Sequence, residues 1–219
     1  MSYNSSVMLV QEFNKEKFIN VLLFFLDHAN NARLGETKLM KLFYFLDFGY
    51  FQLHQKSVTG AMYVHYQHGP IPSEGKTILN ELVKKKIIKC VTTSKVRYPQ
   101  KRFLTNCLFN EDLFDEQELQ HMWAVVIKFD SYTAKAVEEM SHNEPPWIIT
   151  KQGEYIDYNL ANYRNPRDLT YVMEIKAIAE TLDLTDLIFH TEGFLDEIEK
   201  AKDSVRKDRP LTYEEVFGK

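Results

Sequence analysis

Cysteine is nearly absent from this chain, with Cys90 and Cys107 as the whole complement. Two thiols without paired C-x-x-C spacing exclude a disulfide scaffold and a zinc ribbon, and leave reduced thiols as the default. Glycine is thin as well. The eight glycines are scattered, and none stands in the G-x-G-x-x-G, G-K-S/T or G-x-S-x-G settings that cradle phosphates or expose a nucleophilic serine. Long apolar runs are also missing. The longest near the N-terminus, Phe18–Leu26, covers 9 residues against the roughly 20 that span a bilayer, and it lacks a basic leader and a small-residue cleavage site. These absences predict a cytoplasmic protein with no membrane contact, no catalytic centre, no cofactor and no metal.

Aromatic and aliphatic residues, by contrast, are plentiful. They make up most of the hydrophobic 44% of 219 positions, enough to bury one full core, and we expect a single domain over 1–202 followed by a charged tail, 203–219. The core centres on Thr37–Gln55, TKLMKLFYFLDFGYFQLHQ. Leu39, Leu42, Phe43, Leu46 and Tyr50 follow the three-and-four spacing of one helical stripe, while Met40, Phe45, Phe48 and Phe51 add a second face. A helix apolar on both faces has to be covered on both.

The flanking chain supplies the covering elements. Asn14 is placed to cap a helix over Lys15–Asn30, with Phe18, Val21, Leu22, Phe25 and Leu26 as its stripe. Ala61–Gln67 alternates as a half-buried strand does, and Gly69-Pro70 and Pro72 end it in an extended loop, His68–Ser73. Ser73 is the expected cap of a helix reaching Lys85. Ile87–Lys95 and Lys101–Phe109 read as a hairpin around Tyr98-Pro99-Gln100, which sets Cys90 opposite Cys107. The apolar neighbours of Cys90 predict an inert, buried thiol. Asp115 with Glu118 forms a capping-box start for a helix through Phe129, and Ser131 opens another to Ser141, closed by Pro145-Pro146. Residues 151–163 read as a tyrosine-bearing loop. Further helices are expected over Asn165–Leu182, opened by Pro166, and over Asp186–Lys202. The fold class is mainly α: a compact helical domain around a buried central helix, with a small antiparallel β-hairpin or sheet, and roughly seven helices against three short strands.

Charge is uneven along the chain. Lys76–Arg102 holds nine Lys and Arg against one acid, Glu81, a local +8 within an overall −4. Helix, strand, basic turn and strand follow in the order of a winged-helix module, so Lys84, Lys85, Lys86 and Arg97 form a candidate nucleic-acid patch and a DNA-binding regulator, acting on its own operon, is the alternative function. The patch lacks the Arg, Asn and Gln cluster that reads base edges, and solvated surface explains it as well. His65 and His68 are three apart on a strand-to-loop segment, and a metal site there needs at least one more ligand, with His142 or Glu144 as candidates; an imidazole beside aromatics is more often a hydrogen-bonded core or interface residue, so no metal is expected.

Three motifs, in order, carry a resemblance. Lys38–Phe45, KLMKLFYF, is similar to the K-L-x-K-L-L-Y-Y core of the Panacea antitoxin domain family, the SocA-like antitoxins. His68-Gly69-Pro70-Ile71-Pro72 is similar to the family's G-P segment, and Ser141-His142-Asn143-Glu144 with Trp147 is similar to its S/T-H-x-E/D-x-x-W signature. Methionine and phenylalanine stand where the family's helix has leucines, and Pro145 adds a second proline after Glu144. The resemblance implies a helical antitoxin of bacteria, phages or mobile elements that neutralises a cognate protein toxin by direct binding. It carries the site onto Lys38, Lys41, Tyr44, His68, Gly69, Pro70, His142, Glu144 and Trp147, with Lys38, Lys41 and Tyr44 exposed where the Gly69-Pro70 loop and the His142–Trp147 turn converge. Two roles stand open for His142 and Glu144: fixing the Gly69-Pro70 loop, or touching the toxin. Oligomeric state is not specified by any of these residues.

Overall fold

A helix with apolar residues on every side leaves no face for water, and α2 (Glu36–His54) is enclosed accordingly, with an unbroken buried run from Lys38 to Phe51. The computed structural model describes residues 11–29, 34–93 and 100–164. Around α2 lie α1 (Lys15–His28), α3 (Gly75–Lys84), α4 (Glu116–Phe129), α5 (Ala134–His142) and α6 (Pro145–Ile149). Two small antiparallel sheets complete the covering. One has the order β2–β1–β5, from Gly69–Pro72, Tyr63–Tyr66 and Tyr155–Ile156; the other pairs β3 (Ile88–Thr93) with β4 (Gln100–Thr105). The described residues are thus mainly helical, with six α-helices and five short strands. The helices expected beyond Asn165, and the tail, lie outside the described residues.

Each side of α2 meets a different aromatic partner. Phe43 stacks on Phe18 of α1, centroids 4.1 Å apart, and meets the edge of Phe25 at 5.5 Å. Phe45 stacks on Phe129 of α4 at 4.3 Å. Tyr44 and Phe48 pack against Tyr63 of β1. Offset and edge-on ring pairs add to the area they bury. Local signals place the covering helices. The Asn14 side chain accepts from Lys17 N–H at the start of α1, and Asp115 and Glu118 form the expected reciprocal capping box of α4.

Several expectations need correction. The extended loop His68–Ser73 is strand β2, paired Val64↔Ile71 and Tyr66↔Gly69 with β1. Glu74, not Ser73, precedes α3, and no side chain caps it. There Gly75 permits close approach, since a Cβ would sit 2.5 Å from Met40 Sδ. Thr133, not Ser131, caps α5. Pro145-Pro146 open α6 rather than close α5, because a proline costs nothing in a first turn whose N–H has no helical partner. Cys90 pairs with Phe103, so Cys107 falls beyond the end of the ladder. Strand β4 lies against α1 and β3 against α3; Phe103 is buried, while Cys90 is exposed and Cys107 is buried.

One acid sits inside this apolar helix. The buried carboxylate of Asp47 accepts from Val58 N–H (3.0 Å), Thr59 N–H (2.9 Å), the Thr59 hydroxyl and the Tyr63 hydroxyl (2.8 Å). It therefore fixes the turn that leads from α2 into β1. Burial still dominates and pushes its carboxyl up to about 6.

Two substitutions separate these contributions in chemical denaturation. Phe43→Ala leaves a cavity beside the rings of Phe18 and Phe25 and is expected to cost about 3–5 kcal/mol. Asp47→Ala orphans two buried N–H groups and two hydroxyls and is expected to cost about 3 kcal/mol or more, whereas Asp47→Asn keeps an acceptor for both N–H groups and loses less.

Candidate functional site

Strand β2 sits at a sheet edge, and its sequence, GPIP, is suited to that place. Ser73 N–H donates to Met62 O at 2.8 Å and Ile71 pairs with Val64, so in the antiparallel alternation Pro70 and Pro72 turn their backbones outward. Prolines carry no N–H, so the edge presents no donor at either position. The outward carbonyl of Pro70 accepts from Lys41 Nζ at 2.7 Å. The neighbouring Gly69 has φ +89°, and a Cβ there would meet Ser141 Oγ at 2.6 Å, Lys41 Nζ at 2.9 Å and His142 Cδ2 at 3.0 Å. Only glycine tolerates both that backbone and that proximity. The hairpin is thereby pressed onto the end of α5.

A second junction lies beside it. Glu144 accepts from the Tyr44 hydroxyl at 2.7 Å with one carboxylate oxygen and from Arg164 Nη2 at 2.6 Å with the other. All three residues are buried. The Arg164 guanidinium also lies 5.9 Å from the ring centres of Tyr44 and Phe45. Burial, reinforced by the Glu144 charge, holds the Tyr44 hydroxyl well above its ordinary pKa, so it serves as a donor. Beyond it, Trp147 is sandwiched between His142 (4.1 Å, 16°) and His65 (4.4 Å, 22°). The Thr150 hydroxyl donates to Pro146 O at 2.8 Å, so His65 Nδ1–H is the donor across its 3.0 Å contact with Thr150 Oγ1. Burial lowers the pKa of both imidazoles.

The expected exposure of Lys38, Lys41 and Tyr44 is corrected: all three are fully buried. Successive turns of α2 point them at different neighbours, and each long side chain reaches a buried acceptor. Lys38 Nζ donates to Asp130 O (3.0 Å) and Tyr132 O (2.8 Å) at the C-terminal end of α4, where a helix dipole favours a cation. The convergence itself is as expected, since Lys41 meets the Gly69-Pro70 segment and Tyr44 meets Glu144. His68 stands apart, exposed, 3.0 Å from Glu138. Lys84, Lys85 and Lys86 are exposed at the end of α3, where Lys85 pairs with Glu81 at 2.9 Å; Arg97 lies outside the described residues. Asp47 and Arg164 were not singled out from sequence. Asp47 left a signal, an acid within an all-apolar helix; Arg164 left none.

The desolvated Lys41 has a measurable consequence. Burial lowers its pKa from 10.5 to about 7, the Glu138 charge opposing. Between those values the unfolded chain holds a proton that the folded one has released, so this group makes stability rise with pH from about 7 upward. Lys41→Met removes that slope. Denaturation at pH 7 and pH 9 is expected to show wild type gaining on the variant by about 1 kcal/mol per pH unit.

Among the described residues no helix is long and apolar enough to cross a membrane. Comparison with curated proteins and with solved structures finds no match. A family model described as "Antitoxin SocA-like, Panacea domain" matches residues 39–148. That segment holds Lys41, Tyr44, the Gly69-Pro70 strand and the His142–Trp147 turn. A match over half of the chain, covering the Lys41–Pro70 contact and the Tyr44–Glu144 bond, makes this protein a member of the SocA-like antitoxin family that carries the Panacea domain.

Proposed function

We propose that the protein neutralises a cognate protein toxin by binding it directly in the cytoplasm. The observation that carries this reading is the family match over 39–148, a segment that also presents Met62, Tyr66, Tyr132 and Ile148 to solvent. Large exposed apolar and aromatic side chains are the usual anchors of protein interfaces. Within the motif, buried Lys38, Lys41, Tyr44, Gly69, Pro70 and Glu144 hold the frame on which that surface stands. His68, His142 and Trp147 lie at its rim and are the motif residues available to touch the toxin. Binding, rather than bond chemistry, is the activity we assign.

Co-expression tests it. The product of the neighbouring gene is expected to arrest growth alone and to be harmless with this chain present, and the two are expected to co-purify. A toxic neighbour that stays fully active, with no complex formed, rejects the proposal. In the same assay His142→Ala distinguishes rim from frame: loss of rescue with a melting temperature within about 2 °C of wild type assigns contact, and a large drop in melting temperature assigns support of Trp147.

A further inference from the structure

We propose that the cavity between the β1–β2 hairpin, α3 and the first turns of α2 receives an acidic side chain of the toxin together with an apolar neighbour. The proposal rests on the antitoxin reading and names the place and chemistry of its contact. The cavity encloses about 700 Å³, within the size range of built ligand sites. Met40, Tyr66 and Ile71 give it an apolar wall, Lys76 stands exposed on α3 at its rim, and Lys41 lies at its inner wall. Glu36 is the one acid among the described residues that line it.

Lys41 is the decisive group. An ammonium has three N–H donors, and here one accepting carbonyl, Pro70 O, is provided. The side chain is fully buried, and among the described residues no carboxylate forms a salt bridge with it. Glu138, the acid whose charge it feels, is engaged by His68 at 3.0 Å. Burying a cation without a counter-ion is costly, and an arriving carboxylate relieves that cost. Its lowered pKa is the sign of the same deficit.

The occupant is part of a protein because the cavity wall continues into an open sheet face. Along β1, Met62, Val64 and Tyr66 share the side opposite Tyr63 and His65, and Tyr155 stands across the ladder from Val64. Met62, Tyr66 and Tyr155 are exposed. A small carboxylate leaves most of the cavity empty and that face wet, whereas a peptide segment with an Asp or Glu beside an aliphatic or aromatic residue covers both.

Calorimetric titration of the purified chain with the neighbouring gene product tests this. Lys76→Glu and Tyr66→Ala alter exposed positions and are expected to weaken binding at least tenfold, with unchanged circular dichroism; Lys41→Met is expected to do the same if folded. Lys135→Glu, away from the cavity, is the control and stays within twofold. A scan replacing each surface acid of the toxin by Lys is expected to yield one that restores binding to Lys76→Glu. Failure of the wild-type chain to bind or neutralise rejects the antitoxin reading itself. Wild-type binding with Lys76→Glu and Tyr66→Ala both within twofold rejects the cavity, and weakened binding that no acid reversal restores rejects the acidic occupant.

Discussion

Every polar side chain buried along α2 has to find its partner on some other element, and the architecture depends on that constraint. In a dry interior an unmatched amine, hydroxyl or carboxylate costs far more than the modest net value of a hydrogen bond made. Lys38 finds the carbonyls of Asp130 and Tyr132 just past α4, Lys41 the outward carbonyl of Pro70, Tyr44 the carboxylate of Glu144, and Asp47 the turn before β1. Four side chains on one helix thus fix four neighbours. Apolar contacts set the distances; these bonds set position and angle, because a hydrogen bond is directional and a ring stack is tolerant.

The same constraint explains why the motif residues are of the kinds they are. An edge strand invites further pairing, and prolines at the two outward positions remove the donors that would allow it. That solution leaves a carbonyl to satisfy, which a lysine from α2 does. Gly69 lets the hairpin approach Ser141 and His142 closely enough for the Trp147 sandwich to form beside it. Glu144 joins α2 to Arg164 through its two oxygens, so that α6 is held at both faces of one carboxylate. A frame held in this way keeps its polar bonds inside and presents Tyr66, Lys76, Tyr155 and His68 on the outside. Such a frame suits the proposed binding role, since rigid anchors lose little entropy when a partner arrives.

Much of this could be read from the chain before folding. The buried centre at Thr37–Gln55, the Asn14 cap and the Asp115–Glu118 box each rest on interactions within a few residues, where spacing dictates geometry. The meeting of the Gly69-Pro70 and His142–Trp147 segments on α2 came from the order of the motifs. The surface exposure expected for Lys38, Lys41 and Tyr44 failed because polarity alone does not place a residue outside when a long side chain can reach a buried acceptor. The hairpin register failed for a different reason. Centring the turn on Tyr98-Pro99-Gln100 sets Cys90 against Cys107, while the ladder starts at Ile88↔Thr105 and sets Cys90 against Phe103; a slip of four keeps every side chain on its face, so the apolar pattern does not choose between the two.

Sequence by itself determined the helices α1 to α5 and the central place of α2, since these follow from periodicity and capping, and it carried the three motifs that resemble an antitoxin domain. Tertiary structure alone decided that the motif lysines and tyrosine are internal, that Arg164 completes the Glu144 junction, and that Lys41 borders a cavity with no salt-bridge partner among the described residues. Each of those facts depends on groups separated by 20 or more residues along the chain, Pro70 from Lys41, Arg164 from Glu144 and Glu144 from Tyr44. No local pattern encodes such a distance; only the packing of one element on another sets it.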